Sequence, residues 1–158
     1  NNAMEDSGFR ILKDEVYLSY LPMAHVMERN AIIAGLQNGA IFKFICSHDI
    51  KKHLKEDILL SKPSILVTPP RLLSLFHKAI MNEVSKLTGC KKSLFERAMK
   101  TKIENYNDSG EVKHFLYDNL IFKKIQQMFG GNVRIMVSEG APLPEMVSRD
   151  MKVIFSCN

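Results

Sequence analysis

The sequence predicts an α/β fold in which helices flank a mainly parallel β-sheet. Short apolar segments alternate with longer segments of helical periodicity along most of the chain, and this alternation is typical of crossover units that join parallel strands. Residues 133–137 are almost continuously apolar, which favours a strand covered on both faces. A chain of 158 residues with 46% hydrophobic and 25% charged residues fits one ordinary globular domain with a real core.

Three strands are predicted in the first half of the chain, at residues 16–21, 41–45 and 65–68. Pro22 ends the first strand, and residues 24–38 follow as a helix that Gly39 caps. Residues 31–36 are apolar almost all round this helix, so we expect them to be buried. Asp49 is a candidate N-cap for a lysine-rich helix between the second and third strands.

A helical region without strands is predicted for most of the second half. Two prolines after the third strand begin a long helix whose apolar residues recur at near-helical spacing. These residues are Leu72, Phe76, Ile80, Val84 and Leu87. Gly89 ends that helix, residues 93–105 form a second helix with a basic face, residues 105–110 form a polar turn, and a third helix ends at Phe129. We interpret the region as a helical excursion from the sheet, before the strand that leads to residues 138–142, and not as a separate domain.

A strand followed by a loop of small residues makes residues 129–144, FGGNVRIMVSEGAPLP, the most informative segment of the chain. Two glycines fit a left-handed helix end, residues 133–137 follow as a strand, and Pro144 can occupy the first turn of the next helix. In an open parallel sheet, a loop after such a strand lies at the carboxyl edge, where ligands bind. Gly140 and Ala141 let a planar ring approach the backbone closely, so the segment predicts a site for a flat ligand.

His25 is a second candidate functional residue, because it follows a strand and Pro22 at the opening of a predicted helix. Side chains there face the same sheet edge as the Gly140 loop, and the amides of a helix N-terminus favour anions. A partly buried structural histidine fits the same pattern equally well. Glu28 and Arg29 are interpreted as surface or capping charges.

The net charge limits which binding partners we expect, and the cysteines indicate the cellular compartment. The net charge of +5 comes from lysine clusters on predicted polar helix faces, with no aromatic platform or nucleic-acid motif beside them. We therefore expect no nucleic-acid partner, whereas an anionic substrate or an acidic membrane surface remains open. The three cysteines are far apart and odd in number, which predicts reduced thiols in an intracellular, reducing compartment. His48 and His53 are spaced so that they do not align on one helix face, so no metal site is predicted.

Three ordered segments resemble the long-chain acyl-CoA synthetases, which are members of the adenylate-forming enzyme superfamily. Residues 17–29, YLSYLPMAHVMER, are similar to the family's YLSxLPLAHxxER segment. Residues 64–73, SILVTPPRLL, resemble its strand and PR-LL helix start. Residues 118–142, DNLIFKKIQQMFGGNVRIMVSEGAP, resemble its D-x-L-x-F-x-K-I…LGG-x-V-R-x-M…GAAP stretch. Their order and spacing agree, so the resemblance covers nearly the whole chain, from about Asp14 to Cys157.

The resemblance implies an ATP-dependent, AMP-forming ligase that works in two steps. A fatty-acid carboxylate attacks the α-phosphate of ATP in the presence of Mg²⁺ to give an acyl-adenylate and pyrophosphate, and the thiol of coenzyme A then takes the acyl group. A fatty acid, ATP, Mg²⁺ and coenzyme A are therefore the expected substrates and cofactors. Displacement at phosphorus needs positioning and charge neutralisation more than covalent help from the protein.

Four site residues and one departure follow from the resemblance. His25 matches the histidine after the family's LPLA, which lies near the acyl carboxylate and the adenylate phosphate, so it is the candidate catalytic residue. Gly140, Ala141 and Pro142 match the end of the GAAP motif, whose backbone borders the adenine. Glu139 stands where the family commonly has glycine, and it either narrows the adenine pocket or accepts a hydrogen bond from the exocyclic amine.

The resemblance also predicts the domain organisation. Residues 1–13 are interpreted as a leader with a tag remnant, and residues 14–158 as the central part of the large N-terminal adenylate-forming domain. The family's YTSGTTGxPKG phosphate loop, GYGxTE motif and C-terminal domain do not occur in this sequence, so we expect the 158-residue chain alone to be inactive. Exposed sheet edges predict self-association of this piece, and the family suggests peripheral association with cytosol-facing membranes.

Two alternatives remain open. A degenerate relative that binds a nucleotide or a lipid without catalysis would share the fold, and Glu139 favours it. An adenylate-forming ligase for short or aromatic acids is the second alternative, although the LPMAHVMER form argues against it.

Overall fold

A computed structural model of the protein describes residues 11–45 and 50–157, which form two compact units. The first, called the sheet unit here, comprises the described residues up to Val67 together with Phe129–Val137. The second, called the helical unit, comprises Thr68–Met128 and Ser138–Cys157. Asp49, Cys46 and His48 lie outside the described residues.

Four short strands form one sheet in the described part of the sheet unit. They are β1 (Val16–Ser19), β2 (Ile41–Phe44), β3 (Ile65–Val67) and β4 (Ile135–Val137). The strand order is β2-β1-β3-β4, and every neighbouring pair is parallel, with Tyr17 aligned to Ile65 and Ile65 aligned to Ile135. The helices of this unit are α1 (Val26–Asn38) and α2 (Ile50–Ser61). The predicted α/β fold with a parallel sheet is confirmed, and each observed strand is slightly shorter than predicted.

The core of the sheet unit is built on β1 and β3. Tyr17, Ile65 and Val67 are buried in one cluster with Ala34 of α1. All of β3 is buried, as expected for an inner strand of a parallel sheet. By contrast, β4 lies at the edge of the described sheet and only its Ile135 is buried, so the expectation that residues 133–137 are covered on both faces is wrong in these residues.

One face of α1 does not behave as predicted. Ala34 and Gly35 are buried, but Ile33 and Leu36 are exposed, so the prediction that residues 31–36 are buried all round is wrong. Successive helical residues point about 100° apart, and the core side of α1 takes only one stripe of them. At Gly35 an added Cβ would lie 2.6 Å from the Phe42 ring, so any larger residue there would force that ring to shift. Gly39 ends α1 in the left-handed conformation, as predicted.

The helical unit consists of helices in its described residues, apart from connecting loops. They are α3 (Pro70–Ser85), α4 (Cys90–Ser109), α5 (Phe115–Tyr117), a π-helical turn (Asp118–Phe122), α6 (Lys123–Gln127) and α7 (Glu145–Phe155). Lys86 caps α3, and Gly89 instead precedes α4, with a φ of +58°. The polar turn predicted at residues 105–110 starts too early, because α4 continues to Ser109 and Gly110 caps it. After α6, Gly130 and Gly131 have φ values of +86° and +78°, which agrees with the left-handed helix end predicted there.

A buried lysine lies inside the helical unit. Lys102 of α4 is 1% exposed, and its Nζ donates to Asp118 Oδ1 and to the carbonyl oxygen of Val153, both at 2.5 Å, and to Ser156 Oγ at 2.9 Å. The ammonium also lies 4.8 Å from the centre of the Phe122 ring. Burial lowers the pKa of Lys102, and Asp118 opposes this by favouring the charged form. The lysine therefore ties α4, the π-helical turn and α7 together.

Membrane-spanning helices are not found among the residues that the structure describes, since none of their helices is both long and apolar enough.

Candidate functional site

His25 is the N-cap residue of α1 in the sheet unit, and its side chain is exposed. Its N–H donates to the carbonyl oxygen of Pro22 at 2.9 Å, and its own carbonyl oxygen accepts from Arg29 N–H at 3.3 Å. The imidazole makes no capping hydrogen bond, so its ring nitrogens stay available to a ligand. The exposure disagrees with the alternative of a partly buried structural histidine. The catalytic role of His25 stays a prediction.

Two side chains fix the backbone around His25. Arg29 is exposed, and its Nη1 donates to the carbonyl oxygens of Met23 at 3.0 Å and Ala24 at 2.9 Å, which closes the turn that leads into α1. Glu28 is fully buried, so the interpretation of Glu28 as a surface or capping charge is wrong. The burial of Glu28 was not predicted, because a pair of charged residues in the first turn of a helix is usually exposed to solvent.

The buried carboxyl of Glu28 joins α1 to β1. Its Oε2 accepts a hydrogen bond from the Tyr17 hydroxyl, and its Oε1 accepts one from Ser19 Oγ, both at 2.5 Å. Burial, together with the adjacent Glu28, raises the pKa of Tyr17 well above its usual value, so this phenol stays a donor. Because Glu28 lies three residues after His25, these bonds set where the first turn of α1 and its exposed histidine lie.

Residues 138–142 follow β4 and belong to the helical unit, where Glu139, Gly140, Ala141 and Pro142 are all exposed. Gly140 has a φ of +100°, a conformation that favours glycine, and an added Cβ there would meet no heavy atom within 4 Å. The backbone is therefore open to a flat ligand. Ser138 Oγ is buried and has no hydrogen-bond partner among the described residues, so it is available to a ligand or a water. Pro144 is the N-cap of α7, immediately before the first turn in which it was predicted.

Two contacts fix the start of β4. Arg134, which interrupts the apolar run, forms a two-pronged ion pair with Glu15, with Nε–Oε1 at 2.6 Å and Nη2–Oε2 at 2.7 Å. Burial raises the pKa of Glu15, but hydrogen bonds from Arg134 and from Leu12 N–H outweigh it, so the net pKa lies below the usual value. At Gly130 an added Cβ would lie 2.6 Å from Lys62 Cα, so the chain before β4 passes too close to α2 for any side chain.

The described residues offer little that could bind a metal ion or act as a reactive thiol. Among them, no three His, Cys, Asp or Glu side chains cluster closely enough to hold a metal ion. His53 lies 3.3 Å from Glu56 on α2, an ordinary pair within one helix. Cys90 is exposed, and Cys157 is buried, which raises the pKa of its thiol to about 12. A thiol with that pKa is unreactive near neutrality.

The predicted site residues thus fall in different units. His25 belongs to the sheet unit, and Glu139, Gly140, Ala141 and Pro142 belong to the helical unit. Each group is exposed at a strand-to-helix connection, one after β1 and the other after β4. Such connections supply ligand contacts in open parallel sheets.

Comparison with known proteins points to one family. The sequence matches the AMP-binding enzymes over residues 1–158. It is similar to long chain acyl-CoA synthetase 4 of Arabidopsis thaliana, with 36% identity over 148 residues that cover 91% of this chain and 22% of that protein. The chain spans about a fifth of the length of the curated relatives it matches.

Two solved structures share the fold. The adenylation domain of a carboxylate reductase from Mycobacterium chelonae matches with a TM-score of 0.66 at 21% identity, over 94% of this chain and 20% of that one. The corresponding domain of a carboxylic acid reductase from Segniliparus rugosus, solved with AMP and a co-purified carboxylic acid, matches with a TM-score of 0.53 at 18% identity, over 91% of this chain and 19% of that one. Because the sequence matches the family along its whole length and the fold agrees, the chain belongs to the family of AMP-binding enzymes.

Proposed function

We propose that this chain is the central part of the large N-terminal domain of a long-chain fatty-acid CoA ligase. The observation that carries the proposal is the 36% identity to a long chain acyl-CoA synthetase over 91% of the chain. The complete protein joins a fatty acid to coenzyme A in two displacements. In the first, a carboxylate oxygen attacks the α-phosphorus of ATP and pyrophosphate leaves. In the second, the coenzyme A sulfur attacks the acyl carbonyl and AMP leaves.

His25 acts in this proposal on the reacting carboxylate and phosphate. Its exposed imidazole lies at the N-cap of α1, and its backbone is held by the bonded turn before it. An N–H donor aimed at an oxygen that gains or shifts charge lowers the barrier without a covalent step. Glu28 is a positioning residue, because its two hydrogen bonds fix the helix turn that carries His25.

Residues 139–142 border the adenine in this proposal. The open backbone at Gly140 supports it, since a planar ring needs an approach that no Cβ blocks. Glu139 is exposed beside that glycine, and its carboxylate can accept a hydrogen bond from the exocyclic amine of adenine. The AMP complex of the Segniliparus rugosus domain, which has the same fold, is consistent with a nucleotide ligand.

Magnesium is part of the proposal only as a companion of ATP. The carboxylates of the described residues form no cluster that fits a divalent cation. We therefore assign no step of the reaction to a metal ion held by these residues.

The test is pyrophosphate exchange into ATP, measured on the complete protein with palmitate as the acid. We expect His25→Ala to lower the exchange rate by about 100-fold or more, the usual effect of losing one hydrogen-bond donor to a transition state. His53→Ala is the matched control, because His53 is also partly exposed but pairs with Glu56 on α2. Exchange at the wild-type rate in the His25 variant shows that this histidine has no role in adenylate formation. Binding of ATP or palmitate without any exchange in the wild type favours the non-catalytic relative.

Location and association complete the proposal. We propose that the complete protein acts on the cytosolic side of membranes in a reducing compartment, which the basic surface supports through attraction to anionic lipids.

We also propose that the isolated chain associates with itself through β2. That strand is at the edge of the described sheet, and its Ile41 and Phe44 are exposed. Light scattering after size exclusion tests the second point, and a compact monomer contradicts it.

A further inference from the structure

The helical unit contains an open cavity. None of the residues assigned to the ligase reaction contributes to its walls. Its volume is about 540 Å³, and its walls come from α3, α4, the π-helical turn and α6. Pockets that bind small molecules have volumes of roughly 300 to 1,000 Å³ and mostly apolar walls. Neither His25 nor residues 139–142 contribute to it.

The walls are apolar side chains that the unit leaves partly uncovered. Val84 of α3 and Leu87, which follows that helix, were predicted from their periodicity to lie on its apolar face, yet both are only half-buried because they face the cavity. Leu94 of α4 is 46% exposed and Leu120 of the π-helical turn is 68% exposed. Exposed apolar side chains gathered round one concave surface indicate a binding site more than scattered surface residues do.

One cavity-lining aromatic residue, Phe95, is packed against the π-helical turn. Phe95 of α4 packs edge-on against Phe122, with 5.7 Å between the ring centres. Phe122 closes the π-helical turn, whose first residue, Asp118, is held by the buried Lys102. Single π-helical turns within helices are frequent at functional sites, because the extra residue redirects neighbouring side chains. Here Leu120 and Ile121 of that turn line the cavity.

The rim of the cavity is cationic. Three charged residues line it, namely Glu83, Lys91 and Lys124. Glu83 Oε1 is already paired with Lys86 Nζ at 2.6 Å. Within the described ranges, neither Lys91 nor Lys124 has a carboxylate oxygen within 4.0 Å, so both ammonium groups are available to an anion.

We infer that this cavity binds a single-chain amphiphile with an anionic head, specifically a long-chain carboxylate. The apolar walls bury the hydrocarbon chain, and each methylene removed from water contributes about 0.8 kcal/mol. Lys91 and Lys124 bind the carboxylate at the mouth. This site is additional to the proposed ligase chemistry and requires neither ATP nor coenzyme A.

The charge arm of the test uses cis-parinaric acid, a fluorescent long-chain carboxylate, titrated into the 158-residue chain without nucleotide. We expect the double variant Lys91→Glu/Lys124→Glu to bind the probe about tenfold more weakly than the wild type, as expected for reversing two exposed charges. The matched control is Lys92→Glu/Lys123→Glu, which makes the same change in net charge at exposed positions on the same two helices but outside the cavity. The control variant keeps wild-type affinity.

The volume arm fills the cavity with Ile121→Trp, which is expected to abolish binding. Leu75→Trp is its control, because Leu75 is exposed on α3 and does not line the cavity. Far-UV circular dichroism checks that each variant is folded, and the rim variants decide the question if Ile121→Trp does not fold.

Competition identifies the head group. Laurate should displace the probe, and dodecyltrimethylammonium, which carries the opposite charge on the same chain, should not. Equal affinity in all variants, or equal displacement by both competitors, overturns the proposal. Binding of the chain to phosphatidylserine vesicles with no binding of the monomeric probe also overturns it, since the surface then recognises a membrane and not a single amphiphile.

Discussion

Replacing Glu28 with alanine tests the buried bonds that hold α1 to β1. The carboxyl is fully buried and accepts from the hydroxyls of Tyr17 and Ser19, both at 2.5 Å. Glu28→Ala leaves two buried hydroxyls without their acceptor, at about 1 to 3 kcal/mol each, and adds a cavity. We expect the free energy of unfolding to fall by about 3 to 5 kcal/mol, a large part of the stability of a domain of this size.

The measurement is urea denaturation of the chain followed by far-UV circular dichroism. Glu56→Ala is the matched control, because Glu56 is an exposed glutamate on α2 that pairs with the partly exposed His53, and its loss should change stability by about 0.5 kcal/mol or less. A Tyr17→Phe variant keeps the ring and removes one donor, so it should lose part of the effect of Glu28→Ala. Equal urea midpoints for the Glu28 and Glu56 variants would show that the buried hydrogen bonds to Glu28 do not stabilise the protein.

Two further predictions concern the start of β4. Gly130→Ala should destabilise the chain by more than about 3 kcal/mol, because its Cβ would lie 2.6 Å from Lys62 Cα. Gly110→Ala, at a φ of +73° with nothing within 4 Å, should cost only about 1 kcal/mol in the same urea experiment, and a similar loss for both variants contradicts the steric argument. The lowered pKa of Glu15 stabilises the fold above the usual carboxyl value of 4.5, and this stabilisation is lost as the pH falls below 4.5 through the folded-state pKa. Arg134→Gln should flatten that part of the curve of stability against pH, and an unchanged curve rules out the pair as its source.

Local pattern was enough to predict the sheet and most helix ends. Alternating apolar segments predicted parallel strands, and Gly39 and Gly130, both predicted at helix ends, adopt positive φ values. Residues 105–110 were placed in a turn because they are polar, although α4 continues through Ser109. Polarity distinguishes a solvated helix from a loop poorly, since both face water.

Burial was harder to predict, because it depends on which face of an element meets a neighbour. Glu28 and Lys102 are charged residue types with full burial, and in each case the partners that make this possible lie elsewhere in the sequence. Conversely, Leu36 and Val84 belong to apolar patterns, yet Leu36 is exposed and Val84 is only half-buried. His25 and Gly140 could be proposed as site residues from the sequence because their signal is local, a histidine after a strand and a glycine in a strand-to-helix loop, and their roles stay predictions.

The most direct test of the proposed function is thioester formation by the complete protein, with ATP, Mg²⁺ and coenzyme A, across acids of different chain length. The proposal predicts acyl-CoA and AMP in equal amounts, with palmitate or a similar long-chain acid strongly preferred, and no product from the 158-residue chain alone. A preference for acetate or benzoate contradicts the long-chain assignment, and the absence of AMP formation with any acid contradicts the ligase itself.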